Sequence, residues 1–300
     1  MKKIIALAVA GAFIAPAYAA DVTVGGEMEF TYTDSDSAKS KVTDSDNLIR
    51  VTATEELPNG MSITGTYQII HDSDSSNVLE NDGTNLAISG AFGTVTVGDT
   101  SGALDSTGDY TDVAPSGGGF AMDGPDAAIL WKLPVMVEGL TVAVSHSPDG
   151  TNDVGAGDGV KDGENGASIT YSANGLSVYY GMSSYAASAS AADDDYSAFG
   201  AKYAMSGFTL AYESGEKDPA STSANKTEYT GASITYKMGD ILLGFENQET
   251  KTKGSAASVE DTVMFVEYNL GSNVDIYVSA VDDGTTTNND STRVGLEYNF

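Results

Sequence analysis

The sequence predicts an all-β fold, a 16-stranded antiparallel transmembrane β-barrel. Three observations carry that reading. Apolar and polar residues alternate with period two along many short runs, which gives each run one greasy and one wet face. These runs number sixteen, and short turns alternate strictly with long polar loops between them. A soluble sandwich has no reason to obey that alternation, whereas a membrane barrel does. Finally, no apolar stretch after the first residues is long enough for a spanning helix, which needs roughly 20 residues.

The first residues read as an export segment rather than as structure. Met1-Lys2-Lys3 is a positive start, Ile4 to Ile14 is apolar, and Ala17-Tyr18-Ala19 fits the small-x-small rule for cleavage before Ala20. The expected organisation is a signal peptide over 1–19 and a single barrel over 20–300. Removing the segment takes away two lysines and no acids, so the mature chain is more acidic still.

The first strand is Val22 to Tyr32, with even positions apolar apart from Gly26, and odd positions Thr, Gly or Glu. Seven pairs follow, each joined by a short turn. Leu48–Leu57 and Met61–Ile70 meet at Pro58-Asn59-Gly60. Asn85–Phe92 and Thr94–Gly98 meet at Gly93, and Asp126–Leu133 and Leu140–Ser147 flank Pro134 to Gly139. Ala167–Ser172 and Leu176–Ser184 meet at Ala173-Asn174-Gly175, while Tyr196–Ala204 and Phe208–Ser214 meet at Ser206-Gly207. Tyr229–Met238 and Ile241–Gln248 meet at Gly239-Asp240. Val259–Leu270 and Val274–Val281 meet at Gly271-Ser272-Asn273. Thr292–Phe300 ends the chain. Gly, Asn, Asp and Pro at these junctions are turn formers.

Eight longer connections, at 34–46, 72–84, 100–125, 148–166, 185–195, 215–228, 249–258 and 282–291, are rich in Asp, Ser, Gly and Thr. The third, Thr100 to Pro125, is the longest segment without an apolar pattern. Loops of that length in a compact architecture are usually functional or disordered. It is expected to fold into the pore and narrow it.

The faces fit a barrel around water. In the second strand Ile49, Val51, Ala53 and Leu57 oppose Arg50, Thr52, Thr54 and Glu56. Phe92, Tyr203, Phe208, Tyr236, Tyr268 and Tyr298 fall near the short turns, as an interfacial aromatic girdle would.

Composition excludes much. There are no cysteines, so disulfides, thiolate metal sites and thiol nucleophiles are absent. The two histidines, His71 and His146, stand in different segments, and no Gly-x-Ser-x-Gly elbow occurs. No enzyme is expected. Fourteen Lys plus Arg against 43 Asp plus Glu give a net charge of −29, which repels nucleic acid and attracts cations. Acid clusters recur in the long connections: Asp34-Ser35-Asp36, Asp44-Ser45-Asp46, Asp72-Ser73-Asp74, Asp193-Asp194-Asp195 and Asp282-Asp283-Gly284. None completes an EF-hand, so no cofactor is expected beyond weak Ca²⁺ or Mg²⁺ at these oxygens, with divalent bridging to lipopolysaccharide as a further expectation.

Four stretches resemble the general diffusion porins of Gram-negative outer membranes. Asn47 to Gly60 is similar to the family's second strand and first turn. Ala91 to Gly98 is similar to the strand that leads into its inward third loop. Tyr110-Thr111-Asp112-Val113-Ala114-Pro115, followed by Gly117-Gly118-Gly119, resembles the body of that loop. Val294 to Phe300 resembles the terminal strand read by the barrel-assembly machinery, with Tyr298 and Phe300 as the signal. The resemblance implies an outer-membrane homotrimer in contact with lipid and lipopolysaccharide, with short periplasmic turns, long external loops and an inward third loop. It implies passage of ions and small hydrophilic solutes.

The resemblance also implies site residues. Arg50 and Lys132 match basic wall positions. Asp99 stands where the family usually has a basic residue. Asp99, Asp105, Asp109, Asp112, Asp123 and Asp126 form the acidic side, with Asp123 and Asp126 the foremost candidates. Such an excess of acid predicts cation selectivity. Two alternatives are a porin specific for one solute class, though the inferred inward faces show few aromatics, and a soluble exported calcium-dependent adhesin built of β-sandwiches.

Overall fold

The computed structural model describes residues 21–71, 80–81, 83–115, 126–148, 163–186, 193–219, 226–255, 258–284 and 290–300; at 45, 46, 80, 81, 186 and 193 it describes the backbone only. The export segment lies outside the described residues. The strands are β1 (Asp21–Ser35), β2 (Ala38–Glu56), β3 (Ser62–His71), β4 in two pieces (Glu80–Asn81 and Asn85–Gly90), β5 (Gly93–Thr100), β6 (Ala127–Lys132), β7 (Leu140–His146) and β8 (Asn165–Ala173). They continue as β9 (Leu176–Ala186), β10 (Asp193–Met205), β11 (Phe208–Asp218), β12 (Thr227–Met238), β13 (Ile241–Thr252), β14 (Ser258–Gly271), β15 (Val274–Asp283) and β16 (Ser291–Asn299).

Each strand pairs antiparallel with its sequence neighbours. Both pieces of β4 pair with β3, so they form one stave. β1 closes the ring, since it pairs with β2 on one side and with β16 from Glu27↔Asn299 to Ser35↔Ser291 on the other. Closure leaves no sheet edge, which is the condition for β-structure to cross a bilayer. The 16-stranded antiparallel barrel expected from the sequence is therefore present.

Short turns follow from local chemistry. Asn174 and Gly175 have φ of 53° and 83°, and Ser206 and Gly207 have 52° and 87°. Two successive positive φ values define the tight hairpin whose twist matches the strands. One long connection was not found. Residues 34–46 were expected as a loop, but β1 and β2 run on to a turn at Asp36 and Ser37, with Thr33↔Lys41 and Ser35↔Ala38 paired on either side of a register shift. Asp and Lys are depleted in strands, so the pattern hid this extension. The ladder bonds form anyway, aided by Ser40 Oγ donating to Asp34 Oδ1 at 2.7 Å.

The barrel is inverted relative to a soluble protein. Met28, Phe30 and Tyr32 on β1 and Phe208, Leu210 and Tyr212 on β11 are exposed, whereas Glu29, Glu213 and Glu246 are buried. Water-free surroundings outside and a polar interior explain both. The expected girdle is exposed at Phe92, Tyr203, Phe208, Tyr268 and Tyr298. Phe208 also stacks on Tyr236 with centroids 4.2 Å apart. Inside the wall, some aromatics lie over glycines of the next strand. A Cβ on Gly200 would sit 2.1 Å from the Tyr179 ring, and one on Gly295 would sit 2.0 Å from the Tyr277 ring.

Candidate pore constriction

The inward loop begins at a bulge. The β5–β6 register slips between Val97 and Thr100. Gly98 has φ 122°, and a Cβ there would lie 2.5 Å from the Thr84 carbonyl, so only glycine fits. The slip buries Asp99, whose Oδ2 accepts from the Gly83 amide at 2.6 Å while its own amide donates to the Thr84 carbonyl at 2.9 Å. Asn85 Nδ2 donates to the Asp99 carbonyl at 3.1 Å. Asp99 thus braces the start of the loop.

From Ser101 to Pro115 the loop is pinned to side chains at inward positions of the wall. The Ala103 amide donates to Ser145 Oγ on β7 at 2.8 Å. Leu104 is buried over Gly181 of β9, where a Cβ would come within 2.6 Å of it. A 3-10 turn, Asp105–Thr107, follows, with Ser106 Oγ and Thr107 Oγ1 donating to the Ala103 and Leu104 carbonyls at 3.0 and 2.7 Å.

Tyr110 then meets Tyr179 edge to face at 5.0 Å, with Lys202 Nζ 4.0 Å from its centroid. Glu213 on β11 is fully buried. Its Oε2 accepts from the Thr111 amide and hydroxyl at 2.8 and 2.6 Å, and its Oε1 accepts from Tyr179 at 2.6 Å. Glu246 on β13 accepts from the Val113 and Ala114 amides at 2.9 and 3.0 Å. Loop amides placed away from water need partners, and these carboxylates supply them. The run of anchors from β7 to β13 means that the loop lies along the inner wall.

The expected site residues divide. Asp126, Asp99 and Arg50 border one polar recess of about 460 Å³, along with Thr66 and Gln68, and Arg50 Nε donates to Gln68 at 2.7 Å. Lys132 is exposed at an inward position near the short turns, paired with Thr94. Asp105 is half-buried, while Asp109 and Asp112 are exposed. Burial pushes the Asp105 carboxyl above its ordinary range, against the pull of Ser101 and Lys132. Asp112 keeps an exposed surface, yet partial loss of solvation, then the Glu213 charge, raises its carboxyl. Asp123 lies outside the described residues.

Sequence reasoning missed Glu213, Glu246 and Ser145. Each sits at a polar position of an alternating strand, where a mid-strand Glu was the available signal. It also undercounted inward aromatics. Tyr179, Tyr185, Tyr196, Tyr229, Phe265 and Tyr277 share the inward register, and Tyr185 stacks on Tyr196 at 5.7 Å. Several fill space above small residues, so volume complementarity between strands selects them. Of the acidic clusters, Asp34 binds Ser40, Asp44 meets His71 Nδ1 at 3.1 Å and Asp194 meets Lys217 at 3.3 Å. Asp72 to Asp74 fall outside the described residues. Among the described residues no group of three or more acidic or histidine side chains is arranged to hold a metal ion.

A closed barrel with an apolar outside, a polar inside and a loop against its inner wall defines a transmembrane channel protein. Solved porins share the fold. Salmonella typhi OmpF in complex with daunomycin has a TM-score of 0.78 at 16% identity, covering 94% of this chain and 98% of that one. The anion-selective porin from Comamonas acidovorans has a TM-score of 0.75 at 16% identity, covering 94% and 100%. A loop-deletion form of Vibrio cholerae OmpT has 0.72 at 14%, covering 94% and 100%. A search of curated protein sequences gave no match. The profile of the Gram-negative porin family matches residues 6–292, and the chain belongs to that family. It is an outer-membrane diffusion channel, as family and fold together require.

Proposed function

We propose that the chain is a general diffusion porin, selective for cations, whose loop 100–125 narrows the pore for ions and small hydrophilic solutes. The observation that carries this is the loop itself, held against the inner wall by Glu213 and Glu246. Charge supports the sign of selectivity. Glu27, Glu267, Asp275 and Glu297 occupy inward positions near the short-turn end, against Lys132 and Lys237. A surplus of one sign in a low-dielectric tube favours counter-ions. An anion-selective porin shares the fold, so the fold alone does not set the sign.

Reversal potentials in planar bilayers under a KCl gradient are expected to show cation preference, and clear anion preference would overturn the reading. That preference should weaken on acidification earlier than ordinary carboxylates would require, because Asp105 and Asp112 hold their protons more tightly than usual. Assembly as a homotrimer in lipid and lipopolysaccharide, through the barrel-assembly machinery and after cleavage before Ala20, belongs to the same proposal; Vibrio cholerae OmpT is known in a trimer form. The family and fold are those of channels, and the proposal includes no catalysis.

A second reading is favoured by the tyrosines. Tyr185, Tyr196 and Tyr229 are half-buried inward residues, with Lys217 5.0 Å from the Tyr196 centroid. Rings beside polar groups suit ring-shaped polyhydroxyl solutes. A porin specific for that class would show ion current blocked by a disaccharide and not by a linear polyol of equal mass. Equal effects of the two would remove this reading.

A further inference from the structure

Glu164 stands at the root of the inward loop, just before β8, and is fully buried. Its Oε1 accepts from Ser145 Oγ at 2.7 Å, and Ser145 Oγ accepts from the Ala103 amide at 2.8 Å. One short chain of hydrogen bonds therefore joins a carboxyl to the loop's backbone. Space is made by Gly166. A Cβ there would lie 2.4 Å from Ser145 Oγ, 2.6 Å from Glu164 Oε1 and 3.4 Å from the Ala103 side chain. The other carboxyl oxygen, Oε2, has no hydrogen-bond partner among the described residues. An ionised carboxylate in such a place loses much hydration and regains little.

We propose that Glu164 is a proton-controlled pin of the inward loop: protonated, it holds Ser145 against Ala103, and ionised, it favours a root opened to water. The proposal rests on the reading of loop 100–125 as the constriction. Burial pushes the carboxyl from 4.5 up to about 7, against the lowering pull of Ser145 and then His146. Among the described residues the facing titratable groups are few. β7 contributes His146, whose Nδ1 lies 3.0 Å from Asn165 Oδ1. The loop contributes Asp105, two residues beyond Ala103 and under the influence of Lys132. β8 presents Asn165 and Gly166, which do not titrate.

The direction follows from linkage. The closed root binds the proton more tightly than an opened root whose carboxyl is in water. Its stability is complete below 4.5, declines as pH rises toward about 7, and stays low above. Ionisation thus loosens the loop root in neutral medium, and acid fastens it.

The test compares wild type, Glu164→Gln and Ser145→Ala as folded channels in symmetrical KCl between acid and neutral pH. Open-channel current noise of the wild type is expected to rise through that window. Glu164→Gln keeps the acceptor without the charge and should stay quiet throughout, while Ser145→Ala should be noisy at every pH. A Glu164→Gln channel that follows the wild-type curve, or a wild-type curve that is flat, would overturn the pin. Amide exchange at Ala103, corrected for intrinsic rate, reads the pin without any current. Protection should fall by on the order of 100-fold across the window and not in Glu164→Gln. If the chain forms no channel, the porin reading fails, and the exchange measurement still decides the pin.

Discussion

A channel carrying Glu213→Gln together with Glu246→Gln is expected to conduct more than wild type and to admit larger solutes. Glu213 accepts three hydrogen bonds, from the Thr111 amide, the Thr111 hydroxyl and the Tyr179 hydroxyl. Glutamine would keep one acceptor and turn an NH₂ toward groups that themselves donate. Glu246 binds the amides of Val113 and Ala114 through Oε2, and glutamine would weaken or misalign that pair. Hydrogen bonds to charged groups are worth about 1.5–3 kcal/mol each. Each factor of ten in population needs about 1.4 kcal/mol. The docked loop should therefore lose its dominance over undocked arrangements. Tyr110 and Leu104 still pack on the wall, so the root should stay while the middle swings. Single-channel conductance and liposome swelling with sugars of graded size measure this. Unchanged conductance and an unchanged size limit would show that these carboxylates do not hold the gauge of the pore.

The second large effect concerns assembly. Gly295→Val is expected to abolish the folded barrel or strongly lower its thermal midpoint. A Cβ at 295 would lie 2.0 Å from the Tyr277 ring, which is itself buried. Tyr277 cannot retreat freely, because its hydroxyl lies 2.7 Å from Thr31 Oγ1 and also donates to Glu29. Moving the ring leaves the buried Glu29 carboxylate short of a donor. Overpacking costs about 1–3 kcal/mol, and a stranded buried acceptor a similar amount. The site also lies on β16, which closes the barrel against β1. Loss of the heat-modifiable band on gels reads the effect. Adding Tyr277→Ala to Gly295→Val should restore part of the band, since the clash disappears. Wild-type mobility and midpoint in Gly295→Val alone would show that the wall yields more easily than its packing implies.

Strand count, order and facing were legible because each depends on local chemistry. Period two along β1, the Asn174-Gly175 and Ser206-Gly207 turns, and the alternation of short and long connections each signal themselves within a few residues. The hairpin of β1 and β2 was not legible. Its tip of Asp, Ser and Lys has no apolar face to read, although its backbone pairs to Ser35↔Ala38.

The constriction divides along the same line. Thr100 to Pro125 stood out in sequence because the pattern stops there. Its wall partners did not, since Ala103–Ser145, Thr111–Glu213 and Val113–Glu246 are 42, 102 and 133 residues apart. Asp99 shows the limit most plainly. Its charge and its departure from a basic residue were visible, whereas its burial and its bond to the Gly83 amide depend on the Gly98 bulge. By itself the sequence determined a closed, lipid-facing barrel of acidic character, because alternation, turn chemistry and net charge are additive along the chain. Only the tertiary structure decided which carboxylates face the loop and which hold it, because that depends on strand register across the ring and on the small residues that let loop and wall meet.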